Sequence, residues 1–353
     1  MRGSTYAVVI ITRDRPGYLK QFIKVLDPAI RANRDIKCNG VAVIDDSVDP
    51  KARACNAHSL QIFMRSVPAH WIDRNMQEKL AREAGLWGIR GLARPLGSRP
   101  WCVGAARNTG ALYWLTSEQC PHMIVFFDDD LLPIGNKHEW LHFLVSACSR
   151  RGEITGSRIT GMQDESRLDR MRRRLLCSER PSIEEAADDR HDAFPISGGC
   201  MVIPSSLMRI DCFPLIYNED WIFCLEVLAQ DAQVYLFNPF LRQRMSRDKI
   251  TMHRLRQEAI GDLAYRTMLR LPPGKRSLES VTNAKELWAE ERKRYCNEVL
   301  EVHLLRRDLK SSSDRNKDLD LEGLRLWVAQ LSAEQDSFID HGDARALWCQ
   351  AFN

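Results

Sequence analysis

The chain has 353 residues, 44% hydrophobic and 28% charged, with a formal net charge of +4. That apolar content is enough for one large core, or one core plus an appended region, and argues against disorder. Its basic residues are spread through patches such as Arg172, Arg173 and Arg174, so no stripe of the nucleic-acid-binding kind stands out, and the mild positive bias suits an anionic small molecule.

No run of residues reaches the length of a membrane span, and residues 1–6 lead into a strand pattern without a signal-peptide shape, so a soluble, cytoplasmic protein is expected. Eleven cysteines are widely separated with no C-x-x-C pair. This argues against a disulfide framework or structural zinc, and the thiols read as small packing groups.

Residues 7–11 form a β-branched strand run, followed by the loop Thr12, Arg13, Asp14, Arg15 and an amphipathic stretch over 18–26 with Pro16 at its entrance. A second strand over 41–44 ends in Asp45, Asp46 and Ser47. Within the long segment 47–104, a helix is expected over 73–84, and the Gly/Pro-rich part 92–100 reads as a loop that moves. Small residues at Gly104, Ala105 and Ala106 open a helix whose backbone can approach a ligand or the sheet closely.

The most informative stretch follows. Met123 to Phe127 is apolar throughout, as in a strand buried on both faces, and it ends in Asp128, Asp129 and Asp130. A solvated turn or a helix cap would also use such acids. At the carboxyl edge of a parallel sheet, however, two hard oxygen ligands suit a divalent cation carrying a phosphate.

The densely charged segment 150–192 reads as a solvated helix or a mobile flap. Residues 195–204 read as a turn, marked by Gly198 and Gly199, into another strand, Asn218 opens a helix running to about residue 230, and 234–237 is a further strand. Beyond Pro272, Pro273 and Gly274, helical periodicity covers 283–309 and 319–335. This tail is expected to pack on the preceding domain. Covering an acceptor site or forming a homodimer through the C-terminal helices are its other uses.

The predicted class is α/β, a mostly parallel sheet flanked by helices with a helical C-terminal extension. Five segments in order, 11–16, 44–47, 104–110, 126–130 and 198–199 with 218–221, resemble the nucleotide-diphospho-sugar glycosyltransferases of the GT-A fold, particularly family 2 and its relatives. The resemblance implies a Rossmann-like catalytic domain over 1–250, with its nucleotide-sugar half at about 1–130 and its acceptor half at about 131–250, and an extension over 251–353. It implies transfer of a sugar from a UDP- or GDP-sugar donor to a small-molecule, glycan or peptide acceptor, with Mn²⁺ or Mg²⁺ as cofactor.

By the same resemblance, Thr12, Arg13, Asp14, Asp45, Asp46, Arg107, Asn108, Asp128 and Asp129 line the nucleotide-sugar site. Asp130 touches the metal directly, Asp128 acts through ribose or water, and His253 is a further ligand candidate. Asp220 matches the carboxylate that deprotonates the acceptor in inverting members, Glu219 is the fallback, and Gly198, Gly199 and Trp221 face the acceptor. Retaining chemistry would remove the base role from Asp220. Two other classes compete: a sugar-nucleotide nucleotidyltransferase, disfavoured because the loop after the first strand lacks a Gly run to cradle a triphosphate, and a non-catalytic nucleotide-sugar-binding protein, which would need neither Asp130 nor Asp220.

Overall fold

The computed structural model describes residues 4–86, 103–135, 138–160, 199–215, 219–243, 252–308, 320–331 and 345–352. Its strands are β1 (Thr5–Thr12), β2 (Lys37–Asp45), β3 (Ala69–Ile72), β4 (Met123–Asp128), β5 (Leu131–Pro133), β6 (Ile154–Thr160), β7 (Cys200–Pro204) and β8 (Val234–Gln243). They form one sheet in the order β3-β2-β1-β4-β7-β6-β8-β5. The pairings β1–β2, β1–β4, β2–β3 and β6–β8 are parallel, whereas β7 runs antiparallel to β4 and β6, and β5 antiparallel to β8.

The α/β architecture expected from the sequence is the one observed. β1 lies inside it, between β2 and β4, because Val8, Val9, Ile10 and Ile11 can be buried on both faces. Tyr6, Val8 and Ile10 point into one core, closed by α1 (Pro16–Ala32), α2 (Pro50–Phe63) and, beyond α3 (Arg74–Glu83) and α4 (Val103–Leu115), by α5 (Trp140–Arg151). Ala7, Val9 and Ile11 point into the opposite core, which α4, α6 (Ser205–Ile210) and α7 (Glu219–Leu228) cover.

The expected helix over 73–84 is α3, with Asp73 as its cap: the carboxylate accepts from Met76 N at 2.9 Å. Two expectations need correction. The charged segment 150–192 contains β6, an interior strand between β7 and β8, whose short pattern of Ile154, Thr155 and Ile159 is masked by flanking charges; the part beyond residue 160 lies outside the described residues. The last strand also runs six residues past the expected 234–237, because residues 241–243 pair with β5. The Gly/Pro-rich part 92–100 also lies outside the described residues.

A third core belongs to the C-terminal helices α8 (Met252–Arg270), α9 (Leu278–Asn283), α10 (Lys285–Asp308) and α11 (Leu321–Ala329). It includes Ile222 and Leu225 of α7, so one helix serves both bodies: Phe223, Cys224 and Val227 face the sheet, and Ile222 and Leu225 face the extension. The extension therefore packs on the sheet-bearing part, the first of the uses expected for it. The helical segment 345–352 returns to α6, where Trp348 is fully buried and its indole Nε1 donates to Met208 O at 2.7 Å. No helix among the described residues is long and apolar enough to cross a membrane.

Close contact between α4 and β1 depends on Gly110, where an added Cβ would fall 2.4 Å from Val9 Cγ1. Gly110→Ala is therefore expected to lower the unfolding free energy by about 1–3 kcal/mol through overpacking. Urea denaturation checks this, and adding Val9→Ala should recover part of the loss. An unchanged midpoint for the single variant would contradict the close contact.

Candidate functional site

The register of the central strands gathers the polar residues at one edge. Thr12 is paired with Asp45 and Ile11 with Asp128, so β1, β2 and β4 all end together. The chain leaves β1 toward β2 and β3 on one side and returns at β4 on the other, making β1/β4 a topological switch point, where open α/β sheets form a crevice at their carboxyl ends.

The three aspartates differ in setting. The Asp128 side chain is 23% exposed, whereas those of Asp129 and Asp130 are 0% and 2% exposed. Asp129 turns inward: Thr12 Oγ1 donates to its Oδ2 at 2.5 Å, and Arg15 Nη2 lies 2.6 Å from its Oδ1 as an ion-pair contact without hydrogen-bond geometry. Arg15 Nη1 donates to Asp130 Oδ2 at 2.9 Å, and Gln243 Nε2 lies 3.2 Å from the same oxygen. Burial pushes Asp129 up to about 8 and Asp130 up to about 6, with their acidic neighbours adding to the rise and Arg15 opposing it.

Arg107 forms the second buried ion pair. It enters from α4, where the small residues let neighbouring backbone approach; an added Cβ on Gly104 would fall 2.2 Å from Pro214 O. Arg107 Nη1 donates to Glu219 Oε1, and its Nη2 lies 3.5 Å from Asp128 Oδ1. Its guanidinium also lies 5.5 Å from the Phe213 ring centroid. Arg107 thus links the end of β4 to the start of α7. Glu219 is pushed up by burial against the pull of Arg107, with Asp220 and Asp128 raising it further. Asp220 follows on the same turn, and its Oδ1 accepts from Trp221 N at 2.9 Å.

Several other predicted site residues hold loops together. Asp14 adopts φ 51°, a left-handed conformation that Asp tolerates better than most residues, and its Oδ1 accepts from Val48 N at 2.9 Å and Asp49 N at 3.0 Å. Asp45 is fully buried and accepts from Ser47 N, Asn56 Nδ2 and Trp71 Nε1. Asp46 receives Arg74 Nε at 2.7 Å and lies 3.9 Å from Arg13 Nη1. Asn108 is buried in a reciprocal pair with the Phe213 backbone, both bonds 2.8 Å long.

Gly199 O accepts from Asp128 N at 3.1 Å, which places the start of β7 against the acidic turn. Trp221 lies 5.0 Å from the Tyr265 ring on α8, so one of its contacts is with the extension. Gly198 lies outside the described residues, and His253 stands in the first turn of α8. No cluster of three or more His, Cys, Asp or Glu side chains suited to a metal occurs among the described residues. Sequence reading missed Arg15 and Gln243 as site residues. Arg15 stands in the motif 11–16, and two buried acids at 129 and 130 call for a cation, but nothing local marks Gln243, which arrives through the β5–β8 pairing.

No protein-family model and no curated relative matches the chain. Among solved structures, it is similar to glucosyl-3-phosphoglycerate synthase from Mycobacterium tuberculosis in complex with Mn²⁺, UDP and phosphoglyceric acid, at 18% identity and TM-score 0.46, covering 76% of this chain and 80% of that one. The complex of that synthase with UDP gives 18% identity and TM-score 0.47 over 76% and 82%. A structure described as a mycobacterial protein gives 15% and 0.46 over 76% and 75%.

An acid whose folded pKa is raised binds more protons folded than unfolded, so its contribution to stability is greatest at low pH and is lost as pH rises toward the folded value. For Asp129 that window runs from the ordinary carboxylate range to about 8. Metal-free protein should therefore lose urea stability between about pH 5 and 8, and Asp129→Asn should show a shallower slope. Equal slopes in the two proteins would contradict the raised value.

Proposed function

We propose that the chain is a metal-dependent glycosyltransferase that moves a sugar from a nucleotide-diphospho-sugar, a UDP- or GDP-sugar, to an acceptor hydroxyl or amine. The observation that carries this reading is the charge balance at the β1/β4 switch point. Asp128, Asp129, Asp130 and Glu219 meet Arg15 and Arg107 among the described residues, two more carboxylates than guanidiniums. Such an excess, with Asp129, Asp130 and Glu219 buried, is offset either by protons, as the raised Asp129, Asp130 and Glu219 indicate, or by a cation.

Oxygen donors of this kind fit Mn²⁺ or Mg²⁺, which are commonly held by one or two carboxylates together with substrate phosphates and water. Asp128, partly exposed, and Asp130 would hold it, with His253 as a further ligand candidate. When bound, the ion would supply neutralisation of the charge that develops on the departing diphosphate.

The protein's own residues supply the rest. Arg107 and Glu219 set α7 against β4, and so fix where Asp220 stands relative to Asp128. An attacking acceptor must lose a proton as the new bond forms, and Asp220, with its neighbour Glu219 committed to Arg107, is the carboxylate we assign as base, giving an inverting reaction. In this reading Gly198, Gly199 and Trp221 serve the acceptor. Residues 1–250 form the catalytic unit in this reading, with 1–130 serving the donor and 131–250 the acceptor, and 251–353 extending it. A cytoplasmic location suits the nine free thiols of the described residues.

Incubation with Mn²⁺ and a panel of nucleotide sugars should release nucleoside diphosphate rather than pyrophosphate. Asp130→Ala should abolish metal-dependent turnover and weaken donor binding. Asp220→Asn should bind donor normally but lose about 10²–10⁴-fold in kcat, the usual worth of a general base. Pyrophosphate release, or full activity in Asp220→Asn, would refute the assignment.

A further inference from the structure

Asp130 already carries a cation of the protein's own. Its carboxylate is 2% exposed, Arg15 Nη1 donates to Oδ2 at 2.9 Å, and Gln243 Nε2 lies 3.2 Å from Oδ2 and 3.4 Å from Oδ1. Both oxygens therefore face protein donors, and a carboxylate offers only about four lone-pair sites in all. A metal ion binding Oδ2 would meet Arg15 and Gln243 already there, and one binding Oδ1 would meet Gln243.

Arg15 is also tethered from the other side. Its second terminal nitrogen lies 2.6 Å from Asp129 Oδ1, while Thr12 Oγ1 holds Asp129 Oδ2 at 2.5 Å. Asp129 is fully buried, its Oδ2 held by Thr12 at the end of β1 and its Oδ1 in ion-pair contact with Arg15, so it anchors the guanidinium. The planar fork of Arg lets one group bridge two neighbouring carboxylates, which Lys cannot do.

From this geometry we infer that Arg15, anchored by Asp129, is the resident counter-ion of Asp130 and competes directly with the divalent cation for it. The inference rests on the reading of Asp130 as a metal ligand. Arg15 then has two effects: it keeps the Asp130 carboxylate aimed before any metal arrives, and it weakens the binding of metal alone. With the ion on Asp130, the Asp129 contact would keep the guanidinium at the site.

The test is the affinity of the full-length protein for Mn²⁺ alone, followed by electron paramagnetic resonance of the free ion, with no sugar nucleotide and no turnover. Arg15→Gln should bind Mn²⁺ tighter by about tenfold or more, the worth of one charge-assisted hydrogen bond released from Asp130. Arg15→Lys, which keeps the charge but loses the fork, should fall between it and the wild type, and serves as the deciding variant where Arg15→Gln does not fold. A residue that merely shapes the loop would give weaker or unchanged binding on substitution, and that result would overturn the inference. Asp130→Asn separates the two readings. Its loss of Mn²⁺ binding together with unchanged affinity in Arg15→Gln defeats the counter-ion alone, whereas wild-type binding in Asp130→Asn defeats the metal assignment beneath it.

Discussion

Removing carboxylates from water at the end of an apolar strand is the constraint on which this structure depends. β4 is buried along Met123 to Phe127 and delivers Asp129 and Asp130 to positions with almost no solvent contact. Burying an ion without compensation costs several kcal/mol even after relaxation. At Asp129 and Asp130 the chain meets that cost with Arg15, just ahead of α1, and with neutral donors from Thr12 and Gln243, while Arg107 inside α4 does the same for Glu219 and Asp128. Compensation is incomplete, and the raised Asp129 and Asp130 are its electrostatic signature.

The same constraint organises the surrounding elements. Because Arg107 must reach Glu219, α4 approaches closely enough that Gly104 lies against Pro214 O and Gly110 against Val9. Asn108 then fixes the 211–215 loop through Phe213, whose ring stacks on Phe223 of α7 with centroids 4.5 Å apart. Behind that loop, Asp211 receives Arg345 Nη2 at 3.2 Å and Trp348 seals α6. The closing helical segment is thus part of the packing that holds α7, and with it Asp220, against the sheet.

The elements with long uniform patterns were legible in the sequence. Strands β1, β2 and β4 announce themselves as β-branched or apolar runs ending in polar residues, and α1 and α3 by Pro16 and Asp73 at their starts. Short strands were not: β3 and β5 have four and three residues, too few for a period to show, and β6 is hidden among charges. At the site, the acids were visible because three in a row after an apolar run are conspicuous. Their division of labour was not, since nothing local says that Asp129 points inward to Thr12 and Arg15 while Asp128 stays partly in water. Asp14, Asp45 and Asn108 use their side chains to bind the loops around the carboxyl edge of the sheet.

Crystals soaked with Mn²⁺ and a nucleoside diphosphate, with data collected to locate manganese by its anomalous signal, should show the ion bonded to Asp130 in the crevice between β1 and β4. Asp128 should stand beside it and the diphosphate on its open side. Manganese found elsewhere, or a diphosphate bound away from β4 with the Asp130 carboxylate still held by Arg15, would contradict the account.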